Sequence, residues 1–375
     1  MMHLLVDISA HGFGHLSQTA PVLNALMIAR PELRITVRSG LPEERLRQRI
    51  HCDFSHINTA SDFGFVMHNA IDIDRGASAQ RYRDLHADWP ARVAEAAVQL
   101  RDMQVNLVLS NVAYLPLAAA AQSGIPAVAM CSLNWADLFL NCFRVESWAM
   151  TVYTQMLAAY CSAKHFLRVT PGMPMDSFPN RQCIGPLATL PEPDYSRRTV
   201  VAERLNIPQT AHWVLMAMGG MDFRQPIENW PQRDDIYWLV PEDWGVTRAD
   251  VRSIERAGCN FTELLATVDA VLTKPGYGTF VEAACCGTPV VYVGRDDWPE
   301  EAPLVQWLNH NGRAVEVTRM QLAQGDFSAA LAELWARPAP GLPQPTGIDD
   351  AVSLLLNVLD LTSAGAARLP TAVVR

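Results

Sequence analysis

Short apolar runs alternate with segments of helical period, and the pattern occurs twice. In the first half the runs are HLLVDI (3–8), RITVR (34–38), NLVLS (106–110), PAVAMC (126–131) and HFLRV (165–169). Between them, Leu16, Ala20, Leu23 and Met27 share one face of a helix. ARVAEAAVQLRDM and LPLAAAAQSG are also helical, and a long helical tract covers 135–162. Strands joined by helices pair in parallel, because a helical crossover returns the chain to the same end of the sheet. Helices then cover both faces of that sheet.

The pattern stops at IGPLATLPEPDYS (184–196), where Pro186, Pro191 and Pro193 interrupt it, and then restarts. HWVLMAM (212–218), IYWLV (236–240), AVLT (270–273), PVVYV (289–293) and RAVEV (313–317) read as strands. Helices fit 261–268, 279–287, 300–311 and 349–361. The expected class is α/β, with two doubly wound Rossmann-like domains. The first covers 1–186, a linker 187–196 and the second domain 197–362, with a loose tail over 363–375. Ligands of such sheets bind beyond the carboxyl ends of the strands, so two facing halves would enclose a cleft.

Charge and cysteine content narrow the function. The net charge of −9 argues against a nucleic-acid partner, which needs a basic footprint. The eight cysteines form no C-x-x-C pair, which removes support for a zinc ribbon or a thioredoxin-like site. Their apolar settings favour a reducing compartment. The start MMHLLVDISAHG lacks a basic leader, and no run has the length of a membrane span. The expected location is the cytoplasm.

Two glycine loops carry the candidate chemistry. Gly12 and Gly14 lie between the first strand and its helix; Gly276 and Gly278 hold the matching place in the second half. Backbone N–H groups at a helix start suit a phosphate, and glycine removes the Cβ that would block its approach. Thr279 is placed to cap the second helix, and Glu282, one turn in, to accept two ribose hydroxyls. Gly219 and Gly220 form a third close-approach turn. The plain alternatives are ordinary turns, a solvated Lys274 and a helix-surface Glu282. His11 and His15 are four apart with no third ligand nearby, so no metal site is expected. Each reads either as a general base or as a packed structural histidine. Gly12-Phe13-Gly14-His15 also approaches a dinucleotide fingerprint, with Arg38 where an NADP enzyme carries a positive charge, but the third glycine is missing.

Taken in order, HGFGH, NLVLSN, MCSLNW, AMGG and TKPGYGTFVEAACCGTPVVYVGRDDWPEEAPLV resemble GT-B fold glycosyltransferases over about residues 3–320. The nearest likenesses are the glycosyltransferase-like part of plant-type L-arabinokinases and the peptidoglycan N-acetylglucosaminyltransferase group. No sugar-kinase domain follows. The resemblance implies transfer from a nucleoside-diphosphate sugar, UDP-sugar favoured, to a small-molecule or lipid-linked hydroxyl acceptor. It implies inversion and no metal or other cofactor. His15, or else His11, would be the base, with Gly12, Gly14, Asn111, Asn134 and Trp135 on the acceptor side. Gly219, Gly220, Lys274, Gly276, Gly278, Thr279 and Glu282 would hold the nucleotide, and Asp296, Asp297, Glu300 and Glu301 would face the donor sugar. Two departures stand out: Asn111 replaces the aspartate of the related pattern, leaving Asp7 as another candidate to orient the histidine, and 221–235 has no clean helix. An epimerase or hydrolase of the same fold and a non-catalytic binding module are the other readings.

Overall fold

The computed structural model describes residues 2–220 and 223–367. They form two compact units. The first contains Met1–Val66, Asp74–Leu187 and the C-terminal stretch from Thr346; the second contains Met67–Ile73 and Ala188–Pro345.

The first unit is built on β1 (His3–Ile8), β2 (Arg34–Arg38), β3 (Ser55–Ile57), β4 (Leu107–Asn111), β5 (Ala127–Cys131), β6 (His165–Val169) and β7 (Arg181–Ile184). Their order across the sheet is β3-β2-β1-β4-β5-β6-β7, and every pairing is parallel. All six residues of β1 are buried, as a central strand covered on both faces requires. The edge strands β3 and β7 read SHI and RQCI. They have too little apolar character to be seen in the sequence, which is usual for strands that must not attract a further partner. The polar helix Arg75–His86 also lacks an apolar stripe; its start is set by Asp74, whose carboxylate accepts from the Ala77 N–H at 2.9 Å. The tract expected over 135–162 is two helices, Trp135–Phe143 and Ala149–Ser162.

The second unit contains β8 (His212–Ala217), β9 (Ile236–Val240), β10 (Val251–Ser253), β11 (Ala270–Thr273), β12 (Val290–Val293) and β13 (Ala314–Val317). Their order is β10-β9-β8-β11-β12-β13, again all parallel. Between β8 and β9 the described chain has only a short 3-10 turn, Ile227–Asn229, where Pro226 and Pro231 prevent a longer helix. The excursion Met67–Ile73 is held to this unit by Arg319, which pairs with Asp72 at 2.7 Å and Asp296 at 3.0 Å.

The second domain was expected to run to 362, but the C-terminal helix Gly347–Ala367 belongs to the first unit. Ala351, Leu355, Val358 and Leu359 are buried on one face, and Arg30, the C-cap residue of the helix Gly14–Ala29, pairs with Asp360. A Cβ on Gly347 would stand 2.1 Å from the Gly185 carbonyl oxygen, so the two backbone segments meet where only glycine fits. The helix continues five residues past 362, and the rest of the expected tail, 368–375, lies outside the described residues. Leu355→Ala should lower stability by about 3 kcal/mol, the usual cost of a cavity at a fully buried leucine, read as a lower denaturant midpoint.

Candidate active site

In each sheet the strand order reverses between two neighbours: β1 and β4 in the first, β8 and β11 in the second. The connections leave in opposite directions there, which opens a crevice at the carboxyl ends. The candidate residues collect at these two places.

At the first reversal, Ile8 is in register with Asn111, and the Ser9 N–H donates to the Asn111 carbonyl at 2.7 Å. The chain turns through Gly12, at φ +89°, and enters the helix Gly14–Ala29. No atom lies within 4 Å of where a Cβ would stand on Gly12 or Gly14, so both turns have open space beside them. His15 Nδ1 lies 2.9 Å from Asn111 Oδ1. An amide oxygen only accepts, so Nδ1 carries the proton and Nε2 of the neutral ring keeps its lone pair. The Asn111 amide group donates onward to Gln18 Oε1 at 3.2 Å, and Gln18 donates to Ser132 Oγ at 2.7 Å. All four side chains are buried. His15 is the histidine this arrangement orients. His11 instead stands against the Trp135 ring at 5.2 Å between centroids.

Two buried carboxylates lie in the same region. Asp7 accepts from Arg38 Nε at 2.6 Å and from the Ser61 hydroxyl at 2.7 Å. Asp62 accepts from the Trp135 indole at 2.5 Å, and burial pushes its carboxyl up to about 7; the indole opposes the rise, and the charge of Asp7 adds to it. Trp135 thus joins Asp62 to both histidines, with its ring 5.7 Å from that of His15.

At the second reversal Thr273 is in register with Ala217 and donates to its carbonyl at 2.6 Å. Lys274 follows. A Cβ on Gly219 would stand 3.2 Å from Lys274 Cε, and one on Gly276 would stand 3.6 Å from Nζ, so the ammonium lies between two glycine turns. Gly219 has φ +91°, where L side chains are strained. The Lys274 ammonium makes no hydrogen bond or ion pair among the described residues, although its backbone carbonyl accepts from the Thr273 hydroxyl at 3.1 Å. Burial pulls it down to about 7, the nearby Arg295 adds to the fall, and Glu300 and Glu301 oppose it. Arg295 lies 3.7 Å over the Trp298 ring with its Nε buried and unpartnered, and burial lowers it to about 10. The helix Tyr277–Cys286 begins beside them, and its N-cap residue, Gly276, supplies no side-chain acceptor to the first-turn amides. Two cations and an uncapped helix start thus face one place.

No protein-family model matches the chain. The L-arabinokinase of Arabidopsis thaliana is 25% identical over 336 residues, covering 86% of this chain and 31% of that protein. The chain therefore spans about a third of that relative's length. Among solved structures, the calicheamicin glycosyltransferase CalG4 matches with a TM-score of 0.58 at 18% identity, covering 98% of this chain and 96% of that one. The spinosyn forosaminyltransferase SpnP matches at 0.57 and 13%, covering 96% and 95%. The glycosyltransferase VinC, solved in complex with dTDP, matches at 0.51 and 16%, covering 98% of each chain. The fold is GT-B.

Within this GT-B chain several expected residues have other roles. Thr279 is not the cap of its helix; Gly276 is. Asp7 makes no hydrogen bond to a histidine; its Oδ2 takes both Arg38 and Ser61, and Asn111 is the residue on His15 Nδ1. The same ion pair removes Arg38 as a free charge for an NADP phosphate. Asn134 caps the helix Trp135–Phe143, accepting from the Asp137 N–H at 2.8 Å. Trp135 is fully buried and donates its indole N–H to Asp62. Glu282 is buried, not on the helix surface. Asp296 is held by Arg319, and Glu301 accepts from the Arg295 backbone N–H at 2.7 Å. Gly220 is exposed beyond Gly219, Gly278 is buried in the first helical turn, and Asp297 turns the loop at φ +58°. Glu300 is buried and accepts from the Trp298 indole at 3.2 Å. Among the described residues no group of three or more His, Cys, Asp or Glu is placed to hold a metal. Sequence reasoning missed Arg295, Asp62 and Gln18.

The raised carboxyl of Asp62 has a consequence for stability. The folded protein holds this proton up to about pH 7, while the unfolded chain releases it near 3.8. Stability from this group is therefore lost as pH rises between those values. Asp62→Asn keeps an acceptor for Trp135 and should remove that loss. Its unfolding midpoint should gain on the native protein's as pH climbs from about 4 to about 7; a constant difference would show that Asp62 does not titrate there.

Proposed function

We propose that this chain transfers a sugar from a nucleoside-diphosphate sugar to a hydroxyl group of a small or lipid-linked acceptor. The observation that carries the reading is Lys274, a mostly buried ammonium in no ion pair among the described residues, with Glu300 and Glu301 offsetting only part of its burial cost, set between Gly219 and Gly276 beside an uncapped helix start. Burying a charge without a partner is costly unless an anion arrives to offset it. A diphosphate supplies that charge. Glu282 is the candidate ribose ligand, and the resemblance favours uridine. VinC was solved with dTDP, another nucleoside diphosphate.

In this reading the acceptor hydroxyl gives its proton to His15 Nε2. Its oxygen bonds to the anomeric carbon as the bond from that carbon to the phosphate oxygen breaks, with inversion. The nucleoside diphosphate leaves with the bonding electrons, and Lys274, Arg295 and the first-turn amides of Tyr277–Cys286 stabilise its charge with no metal required. We place the reaction in the cytoplasm, which the eight free cysteines fit. Among the described residues no helix is long and apolar enough to cross a membrane.

Thermal unfolding against UDP, dTDP, GDP, ADP and NADP⁺ tests the donor site. A nucleoside diphosphate at a hundred times its Kd should add about 2.7 kcal/mol of stability. Lys274→Met should weaken that ligand about tenfold to a hundredfold. A response to NADP⁺ alone would overturn the reading. The pH dependence has a definite sign: diphosphate binds the protonated lysine, so affinity should fall as pH rises through about 7.

Turnover provides the second check. With donor and acceptor present, His15→Ala should lower kcat by about 10²–10⁴ while leaving nucleotide affinity intact. Rapid release of nucleoside diphosphate from donor alone would indicate a hydrolase instead.

A further inference from the structure

We propose that Gln18 is a positioning residue that decides which ring nitrogen of His15 carries the proton. The inference deepens the reading of His15 as the base and rests on it for its effect on turnover, but its structural readout needs no substrate.

The argument starts from the chemistry of an amide. Asn111 offers an oxygen that accepts on one side and an NH₂ that donates on the other. With the oxygen toward His15, Nδ1 must carry the proton and Nε2 is free to act as a base. With the amide turned round, its NH₂ would donate to Nδ1, the proton would move to Nε2, and the basic nitrogen would be lost. A carboxylate in this place has two acceptors and cannot be reversed. An amide can, so something else must fix it.

That fixing group is Gln18. It lies three residues after His15 on the same helix, so both side chains lie on one face and reach Asn111 together. Its Oε1 accepts from Asn111 Nδ2 at 3.2 Å, which holds the asparagine oxygen toward the histidine. Its own amide is held in turn, with Nε2 donating to Ser132 Oγ at 2.7 Å on the turn after β5. Gln18, Asn111 and Ser132 are each no more than 1% exposed, so water is not at hand to replace these partners. Reversing Asn111 would require Gln18 and the Ser132 hydroxyl to reverse as well. The cooperative chain thus turns a reversible amide into a fixed acceptor.

The test is the tautomer of His15, read by long-range proton–nitrogen NMR correlation on the full chain with ¹⁵N-labelled histidine, and assigned with His15→Gln. In the native protein the proton should sit on Nδ1. Gln18→Met keeps an unbranched side chain and removes the acceptor; the ratio of Nδ1–H to Nε2–H should then fall about five- to tenfold, the worth of one lost hydrogen bond. The kcat should fall in proportion to the remaining Nδ1–H fraction, a smaller factor than the change in ratio, with the KM for donor unchanged. Gln18→Glu has only acceptors toward Asn111 and the Ser132 hydroxyl, so it should keep the proton on Nδ1. A native ring protonated on Nε2, or a folded Gln18→Met protein with the native ratio, would overturn the proposal. If Gln18→Met does not fold, Gln18→Glu decides, because a proton on Nε2 in that variant would overturn it equally. A loss of turnover with an unchanged tautomer would separate a failure of this inference from a failure of the transferase reading.

Discussion

The reversal of strand order is the constraint on which the rest of this protein depends. A right-handed crossover fills one side of a parallel sheet, so a sheet that grows both ways must start from two adjacent central strands whose connections diverge. Here those strands are β1 with β4 and β8 with β11. The central groups of the candidate site follow their carboxyl ends: His15 and Asn111 in one unit, Gly219, Lys274 and Gly276 in the other. The core exists to keep those ends fixed. β1 and β4 are buried along their whole length, and the helices behind the loops have no freedom to shift without opening that core.

The two reversals use that shared geometry in opposite electrostatic ways. In the first unit His15, Asn111, Gln18 and Ser132 form a neutral chain of hydrogen bonds, and the one buried cation among its described residues, Arg38, is paired with Asp7. Such a site is rigid and holds a side chain in one orientation. In the second unit positive charge is left without close partners, and the cost shows in the lowered values of Lys274 and Arg295. A site of that kind gains most when an anion enters it, because the ligand supplies the missing partner. Under the proposed reading, the fixed orientation in the first unit suits a proton acceptor, and the unmet charge in the second unit suits a phosphate leaving group.

The reversals themselves were legible in the sequence, because apolar runs of central strands are long and the glycines that end them are conspicuous. HLLVDI, HFLRV, IYWLV and AVLT fall on their strands with little or no error in the bounds. The edge strands SHI, RQCI and VRS were not legible, since a strand paired on one side only needs little apolar surface. The place of the C-terminal helix was not legible either: its apolar stripe shows that it packs, but not which unit it packs on. The site residues divide the same way. Lys274 and Glu282 follow a strand and a glycine loop, a local signal. Gln18 and Asp62 matter through partners 93 and 73 residues away, and nothing local marks a buried amide or carboxyl; for Arg295 the Trp298 ring is close in sequence, but its burial is not visible there.

The asparagine at 111, which departs from the related pattern, has a physical context in the first unit. An aspartate there would orient the histidine without ambiguity and would stabilise the imidazolium better. It would also add a third buried carboxylate to a unit that already buries Asp7 and Asp62. Asp7 is already paired with Arg38, and its charge already helps to raise Asp62. A charged carboxylate at the end of β4 would face His15 and would carry its own desolvation cost in a fully buried position. The neutral amide avoids that cost. In exchange it gives up the fixed polarity of a carboxylate, and the polarity then has to come from the amide at 18 and the hydroxyl at 132. A buried glutamine in the first turns of the helix and a neutral orienter on the neighbouring strand are therefore two parts of one electrostatic solution.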